Sequence, residues 1–386
     1  MSRAEFKKLR FHSLSVPHSV CSTDYVACAY QQKALKFAAM MTQRGHEVFT
    51  YGVEGMQTDS TEQVTVVSGD LFQSVYGDHD YRSEFFVYDV EDPVYQTFYR
   101  NAIREIAARA EPGDFLLAWW GAGHRPVCDA LPNLITVEPG IGYSEGHWAR
   151  WKIFESYAIL HAYYGLHGVG TCTADYYNRV IPNYFDLRDF DYAPETKSDY
   201  LLCLGRVYSG KGVDIAIQVA RETGCELVIA GQGSVDCLNQ GRLPGNIHVV
   251  GYADRVQRRE LMSRARGAII ASRYIEPFGG VQVENLLSGT PTITSDWGAF
   301  VENNIPGVTG YRCNTFADWC EAWQDLDQID PAECRRIAVS RWSFDAVAPQ
   351  YERYFEDVSN VFSGSGWYQP RPQHRNSEQK VNRYEV

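Results

Sequence analysis

The sequence predicts an α/β protein made of two doubly wound parallel sheets in tandem. Three observations carry this. Short apolar runs alternate with segments of helical spacing along both halves of the chain, and strands separated by helices pair in parallel and are covered on both faces. A polar, turn-rich stretch at 181–199, IPNYFDLRDFDYAPETKSD, breaks the alternation and carries Pro182 and Pro194, which reads as an interdomain linker. The 386 residues, at roughly 150 per domain, suffice for two or three domains with sizeable cores.

In chain order, FHSLSVP (11–17) reads as a strand. Residues 25–44 read as a helix, with Val26, Tyr30, Ala34, Phe37, Ala38 and Met41 at helical spacing. Gly45 ends it and HEVFTYG follows as a strand. QVTVVSG (63–69) is another. Asp92-Pro93 opens a helix as N-cap and first-turn proline. EPGD turns the chain into FLLAWWG, after which come LITVEPG and a helix at 148–165. Beyond the linker, YLLCLGR, ELVIAG, IHVVGY, GAIIAS and PTITSDW are strands, with helices at 211–223, 254–266 and 279–289. Ser343 caps a last helix bearing Val347, Tyr351, Tyr354, Phe355 and Val358. The expected division is 1–190, 196–345, a C-terminal helix at 346–362 that could pack back on the first domain, and a polar tail at 363–386. Each sheet is of Rossmann type.

Composition narrows function. Lys and Arg number 36 against 48 Asp and Glu, a net charge of −12. This argues against a protein that coats nucleic acid, although a local basic cleft stays open. The start, MSRAEFKKLRFHSLSV, lacks the apolar stretch of a secretory leader, and no run of ~18 apolar residues suits a membrane span. The ten cysteines form no C-x-x-C pair, and several lie in apolar runs. They read as reduced, buried thiols, not as a zinc site or disulfide framework. The expected location is the cytoplasm, the host's if the protein is viral.

In open α/β sheets ligands bind beyond the carboxyl ends of the strands. There, after YLLCLG, come Arg206 and then Lys211-Gly212, leading into a helix. Two cations at a glycine-bearing helix N-terminus suit a diphosphate; solvated surface residues are the plainer alternative. Further on, EPFGGVQVE sets Glu276 and Glu284 eight residues apart around Gly279-Gly280. The glycines let backbone N–H groups approach a ligand, and a carboxylate accepts from vicinal sugar hydroxyls.

With IPNYFD, IAGQGS and GTPTITSDWGAFVENNIPGVTGYRC around them, LGRVYSGKG and EPFGGVQVE resemble the donor domain of GT-B glycosyltransferases. The likeness is closest to the retaining glycosyltransferase family four with its E-x7-E signature, and it covers about residues 181–345. It implies two Rossmann-like domains facing a central cleft and transfer of a sugar from a nucleotide diphosphate sugar to an acceptor hydroxyl, with retention. Arg206 and Lys211 would bind the donor diphosphate and stabilise the leaving nucleotide. Glu284 would hold the ribose, Glu276 would face the donor sugar, and amides of Gly279, Gly280 and Val281 would contact phosphate or sugar. Tyr252 would lie beside the base. No metal or cofactor is implied, because Arg, Lys and a helix dipole take over leaving-group charge.

The first half departs from the family pattern. A glycine-rich loop is replaced by VPHSVCSTDYVACAY, where Ser22, Thr23 and Asp24 cap the first helix with or without presenting amides to phosphate. A histidine frequent in relatives is replaced by Glu138 in LITVEPGIGYSEGHW, the candidate catalytic group of this domain; His124 in WWGAGHRP is its rival. His161 reads as a core or interface residue. Thr23, His124 and Tyr143 are candidates for the acceptor side. The opening, with EPGIGYS and IFESYA, resembles a branch common among tailed-phage and bacterial sequences. That raises hydroxymethylated bases in DNA as acceptor beside a glycan or small molecule, with the acidic balance favouring the latter. The alternative of another class is a non-catalytic nucleotide-sugar-binding protein. A dinucleotide oxidoreductase is weaker, since no G-x-G-x-x-G follows the first strand.

Overall fold

A computed structural model describes residues 8–26, 28–143, 145–167 and 176–364; the expected tail from 365 onward and Cys172 lie outside them. The first sheet holds β1 (Arg10–Leu14), β2 (Glu47–Val53), β3 (Glu62–Val67), β4 (Phe115–Ala118), β5 (Ile135–Ile141), β6 (Trp151–Phe154) and β7 (Asn178–Val180). Its order is β3-β2-β1-β4-β5-β6-β7. The second holds β8 (Tyr200–Leu204), β9 (Glu226–Ala230), β10 (Ile247–Gly251), β11 (Gly267–Ile270), β12 (Thr292–Ser295) and β13 (Gly310–Cys313), ordered β10-β9-β8-β11-β12-β13. Every neighbouring pair is parallel. Strand order reverses between β1 and β4, and again between β8 and β11. At each reversal the two outgoing loops part to opposite faces and leave a crevice at the carboxyl edge.

Local signals explain most elements. Asp92 caps the helix Pro93–Ala107 by accepting from the Tyr95 amide, and Ser343 caps Phe344–Phe362 by accepting from Ala346. Three readings change. The first helix runs from Ala29 to Gln43 with Cys28 as an N-cap that makes no side-chain bond. Residues 15–26 are loop, because Gln31 accepts from the Val16 amide and donates to the Ser19 carbonyl, while Gln32 donates to those of Ser22 and Tyr25. The helix expected at 148–165 is a strand, β6, followed by the helix Tyr157–His167, since Trp151 registers against Val137 on β5. The strands β7 and β13 are additions.

The helix Phe344–Phe362 packs on the first sheet. Phe355 lies 4.7 Å from both Phe11 and Phe115, and Tyr351 and Val358 join the same core. Glu352 accepts from Arg44 at 2.8 Å and bonds His46. Separate cores fill the second domain, around Ile217, Leu227 and Trp319 on one face and Met262, Leu286 and Trp342 on the other. The two crossings between domains bond each other: Phe185 N donates to Trp342 O and Phe344 N to Phe185 O. They form a paired hinge.

Candidate active site

The crevice of the second sheet gathers the charged motif residues. Gly212 has φ +64°, and a Cβ there would lie 2.1 Å from the Ala271 carbonyl oxygen. That close approach brings the loop after β8 against the loop after β11. Lys211 Nζ is then 3.0 Å from Glu276 Oε2, which also accepts from Ser272 Oγ at 2.7 Å. The Lys211 ammonium lies 4.9 Å over the Tyr274 ring. Glu276 is buried and held from behind by Gly298, where a Cβ would come within 2.6 Å of its backbone nitrogen. Gly279, φ +80°, precedes the helix Gly280–Leu287, whose N-terminus no side chain caps. A Cβ on Gly280 would meet nothing within 4 Å, so the space before these amides is open. The exposed Arg206 guanidinium stands beside the rings of Phe85 and Tyr208, at 5.4 and 5.6 Å. Cations and an uncapped helix N-terminus are groups that could hold an anion, and the fixed carboxylate is one that could accept from hydroxyls.

Glu284 belongs to a neighbouring space. Its carboxylate accepts from Arg258 at 2.6 Å and lines a cavity of about 430 Å³ between the domains, with Thr23, Lys36 and Arg258. Burial pushes the Lys36 amine down to about 8, against the pull of Glu284.

In the first domain the picture differs from the sequence reading. Glu138 is fully buried. Its Oε2 accepts from the amides of Trp148 and Ala149 at 3.1 and 2.9 Å, so it pins the loop after β5 instead of facing the cleft; burial raises its pKa. His124 is also fully buried. Its Nδ1 accepts from the Trp120 amide and its Nε2 donates to the Ser15 carbonyl, and burial lowers it to about 3. It ties the loops after β1 and β4 together and reaches no acceptor. Thr23 faces the Glu284 cavity. His161 is exposed on its helix, not in the core. Tyr143 does border open space: a second cavity of about 700 Å³ at the β1/β4 reversal, beside Tyr30, Tyr88 and Trp120.

The sequence reading missed the contacts that cross the cleft, although it had named Tyr252 for another role. Gln232, from IAGQGS, donates to the carbonyls of Tyr81 and Glu84 at 2.5 and 2.6 Å. Tyr252 donates to the Asp24 carbonyl at 3.2 Å. Glu302 accepts from the amides of Tyr157 and Ala158 at 2.9 and 2.7 Å, capping a helix of the opposite domain. The only sequence signal for the 78–92 strap was its aromatic cluster, Tyr81, Phe85, Phe86 and Tyr88, within an otherwise polar stretch. Among the described residues no group of three or more His, Cys, Asp or Glu is placed to hold a metal, and no helix is long and apolar enough to cross a membrane. The nine described cysteines are free.

Residues 186–329 match the family described as Glycosyl transferases group 1. Glycogen synthase of Mycobacterium tuberculosis (strain ATCC 25618 / H37Rv) is 36% identical over 147 residues, 35% of each chain. Granule-bound starch synthase 1 of Triticum aestivum is 21% identical over 146 residues, 36% of this chain and 23% of that one. The match thus spans about a third or less of these relatives. Among solved structures, a glycosyltransferase involved in avilamycin A biosynthesis superposes with TM-score 0.68 at 19% identity, covering 91% of this chain and 98% of that one. Anabaena Alr3699/HepE, in complex with UDP and glucose, gives 0.64 at 14%, covering 90% and 99%. Sucrose-phosphate synthase of Thermosynechococcus elongatus gives 0.65 at 17%, covering 92% and 100%. The architecture is the GT-B fold, two Rossmann-like domains about a cleft.

Proposed function

We propose that the protein is a retaining glycosyltransferase that moves a sugar from a nucleotide diphosphate sugar to an acceptor hydroxyl without a metal. What supports this reading is Lys211 paired with Glu276 across the β8/β11 reversal, with Arg206 exposed on the same loop after β8 and the uncapped N-terminus of Gly280–Leu287 following β11. Arg206 and Lys211 hold the diphosphate, with the amides of Gly280 and Val281 completing the anion site behind Gly279. Lys211 keeps donors to spare beyond its bond to Glu276. Glu276 faces the donor sugar, Glu284 the ribose, and Tyr252 the base. The bond from the anomeric carbon to the diphosphate oxygen breaks as the acceptor oxygen attacks the same face. The acceptor's proton passes to the departing phosphate oxygen, whose charge Arg206 and Lys211 stabilise. Glu138 and His124 have no part in the step. Complexes of Anabaena Alr3699/HepE with UDP-glucose support a uridine donor.

The test is turnover of Lys211→Ala and Arg206→Ala beside their thermal unfolding. Losing one donor to leaving-group charge should cut transfer by roughly 10²–10³ at near-parental stability. Rates within about threefold of the parent for both variants would sink the assignment. Activity should persist after dialysis against EDTA, and the product should keep the donor's anomeric configuration by NMR.

A further inference from the structure

We propose that the cavity at the β1/β4 reversal takes the acceptor as an uncharged sugar ring and turns away phosphorylated acceptors and nucleic acid. The inference rests on the glycosyltransferase reading above and names the acceptor class for it. The cavity, about 700 Å³, is within the rough 300–1,000 Å³ range of ligand sites. Its wall is aromatic. Trp120 meets Tyr30 at 4.6 Å and Tyr88 at 5.1 Å, both near perpendicular, and Tyr143 lies 5.8 Å from Tyr30. Two glycines make room for these rings. A Cβ on Gly123 would strike the Trp120 indole at 2.1 Å, and one on Gly121, φ +51°, would strike the Tyr143 hydroxyl at 2.8 Å. Tyr30 is the side of the wall towards the second domain, whose Arg206 has a weak electrostatic influence on its hydroxyl.

The charge of the lining decides the class. Among the described residues the cavity's only charged members are Glu91 and Glu145, both exposed; no Lys or Arg lines it. Apolar sugar faces lie well on aromatic rings, and their hydroxyls donate to carboxylates, carboxamides and phenols. A phosphate at the rim would face two carboxylates, and the cations nearest the wall are Lys33, 5.2 Å over the Tyr30 ring and paired with Glu155, and Arg206 on the donor side of Tyr30. Duplex DNA needs several such cations along its path.

Calorimetric titration on the full chain tests this. The probes are a panel of neutral mono- and disaccharides including maltose, glucose 6-phosphate, and a duplex containing hydroxymethylcytosine. UDP titration reports the donor site independently, so loss of UDP binding counts against the glycosyltransferase reading and not against this one. At least one neutral sugar should bind, at least about tenfold more tightly than glucose 6-phosphate. Trp120→Ala should weaken that sugar by about tenfold or more while UDP binding stays intact. Replacing both Glu91 and Glu145 by Lys, on the exposed rim, should bring glucose 6-phosphate up towards the neutral sugar. This second variant decides the matter if Trp120→Ala fails to fold. Intact UDP binding with no neutral sugar bound, or glucose 6-phosphate or the duplex bound as tightly as the sugar, would overturn the proposal.

Discussion

His124 and His18 are buried, and burial lowers both to about 3, His79 adding to the effect on His18. Each bonds as a neutral imidazole, His124 to Ser15 and Trp120 and His18 to the Tyr95 hydroxyl at 2.7 Å. In the unfolded chain both take a proton near pH 6.5. The folded pKa lies below the unfolded one, so the unfolded state binds more protons as acid is added. Their contribution is complete above about pH 6.5 and is lost as pH falls from there towards 3. His124→Asn should therefore flatten the acid limb by about 1.4 kcal/mol per pH unit near pH 5. Urea unfolding at pH 5 and 6 measures this, and an unchanged slope would refute the neutral assignment. The same residue shows what the sequence leaves open. A polar side chain after a strand serves equally to bind a ligand or to tie loops, and only the count of filled hydrogen bonds separates the two. Lys211 and Glu276 stood out in the sequence because glycines beside them, Gly212 and Gly279, mark a backbone that takes a positive φ there. Gly212 and Gly280 permit a contrast on that point. Gly212→Ala, at φ +64° against a carbonyl, should cost about 2 kcal/mol or more and abolish transfer. Gly280→Ala, in open space, should leave unfolding within about 1 kcal/mol of the parent yet weaken UDP, because its methyl enters the space before the amides. Equal effects on folding and on UDP titration in both variants would contradict the open cradle.

Helices whose ends are set by neighbours in sequence were readable, and those set from across the molecule were not. Asp92-Pro93 and Ser343 announce their helices by capping chemistry within three residues. The helix Tyr157–His167 is capped twice, by Ser156 Oγ accepting from the Ile159 amide at 3.2 Å and by Glu302, 145 positions away, accepting from the Tyr157 amide; the serine is a local signal that the helical spacing read across 148–165 overran, and the glutamate is not visible near Tyr157. The strand β6 hides for a similar reason: Trp151–Phe154 is short, and its pairing to β5 outweighs any helical spacing. Glu302 is also a clasp, since it joins the two sides of the cleft. A cap of this kind is worth roughly 0.5–2 kcal/mol, small against folding and large against an open–closed equilibrium. Glu302→Ala should leave the unfolding temperature nearly unchanged. It should increase the radius of gyration in solution scattering and raise the donor KM more than it lowers kcat. Scattering indistinguishable from the parent would mean that the Gln232 and Tyr252 contacts hold the cleft alone.

At the scale of the whole molecule, the last helix belongs to the domain it does not follow. It leaves the second domain at Trp342, pairs with the linker at Phe185, and completes the core of the first. Phe355 is fully buried between Phe11 and Phe115. Burial opposes ionisation of Glu352, but bonds from Arg44 and His46 outweigh it and hold its carboxyl below the usual range. The apolar face of this helix was legible from its spacing, which records what is buried and not against what; the expectation that it could pack back on the first domain did not come from spacing, and the rings it meets there, Phe11 and Phe115, were not named by it. The arrangement predicts how damage divides. Phe355→Ala removes a ring from the first core and should destabilise that domain by about 3–5 kcal/mol, leaving the cores around Leu227 and Leu286 untouched. Thermal unfolding should then split, with an early transition from the first domain and a late one from the second. On the donor site proposed above, at the β8/β11 crevice, added UDP should raise the late transition and leave the early one in place, since a ligand stabilises only the unit that holds its site. A single transition, shifted as a whole by both the substitution and UDP, would show instead that the paired hinge and the cleft contacts make the two domains one cooperative unit.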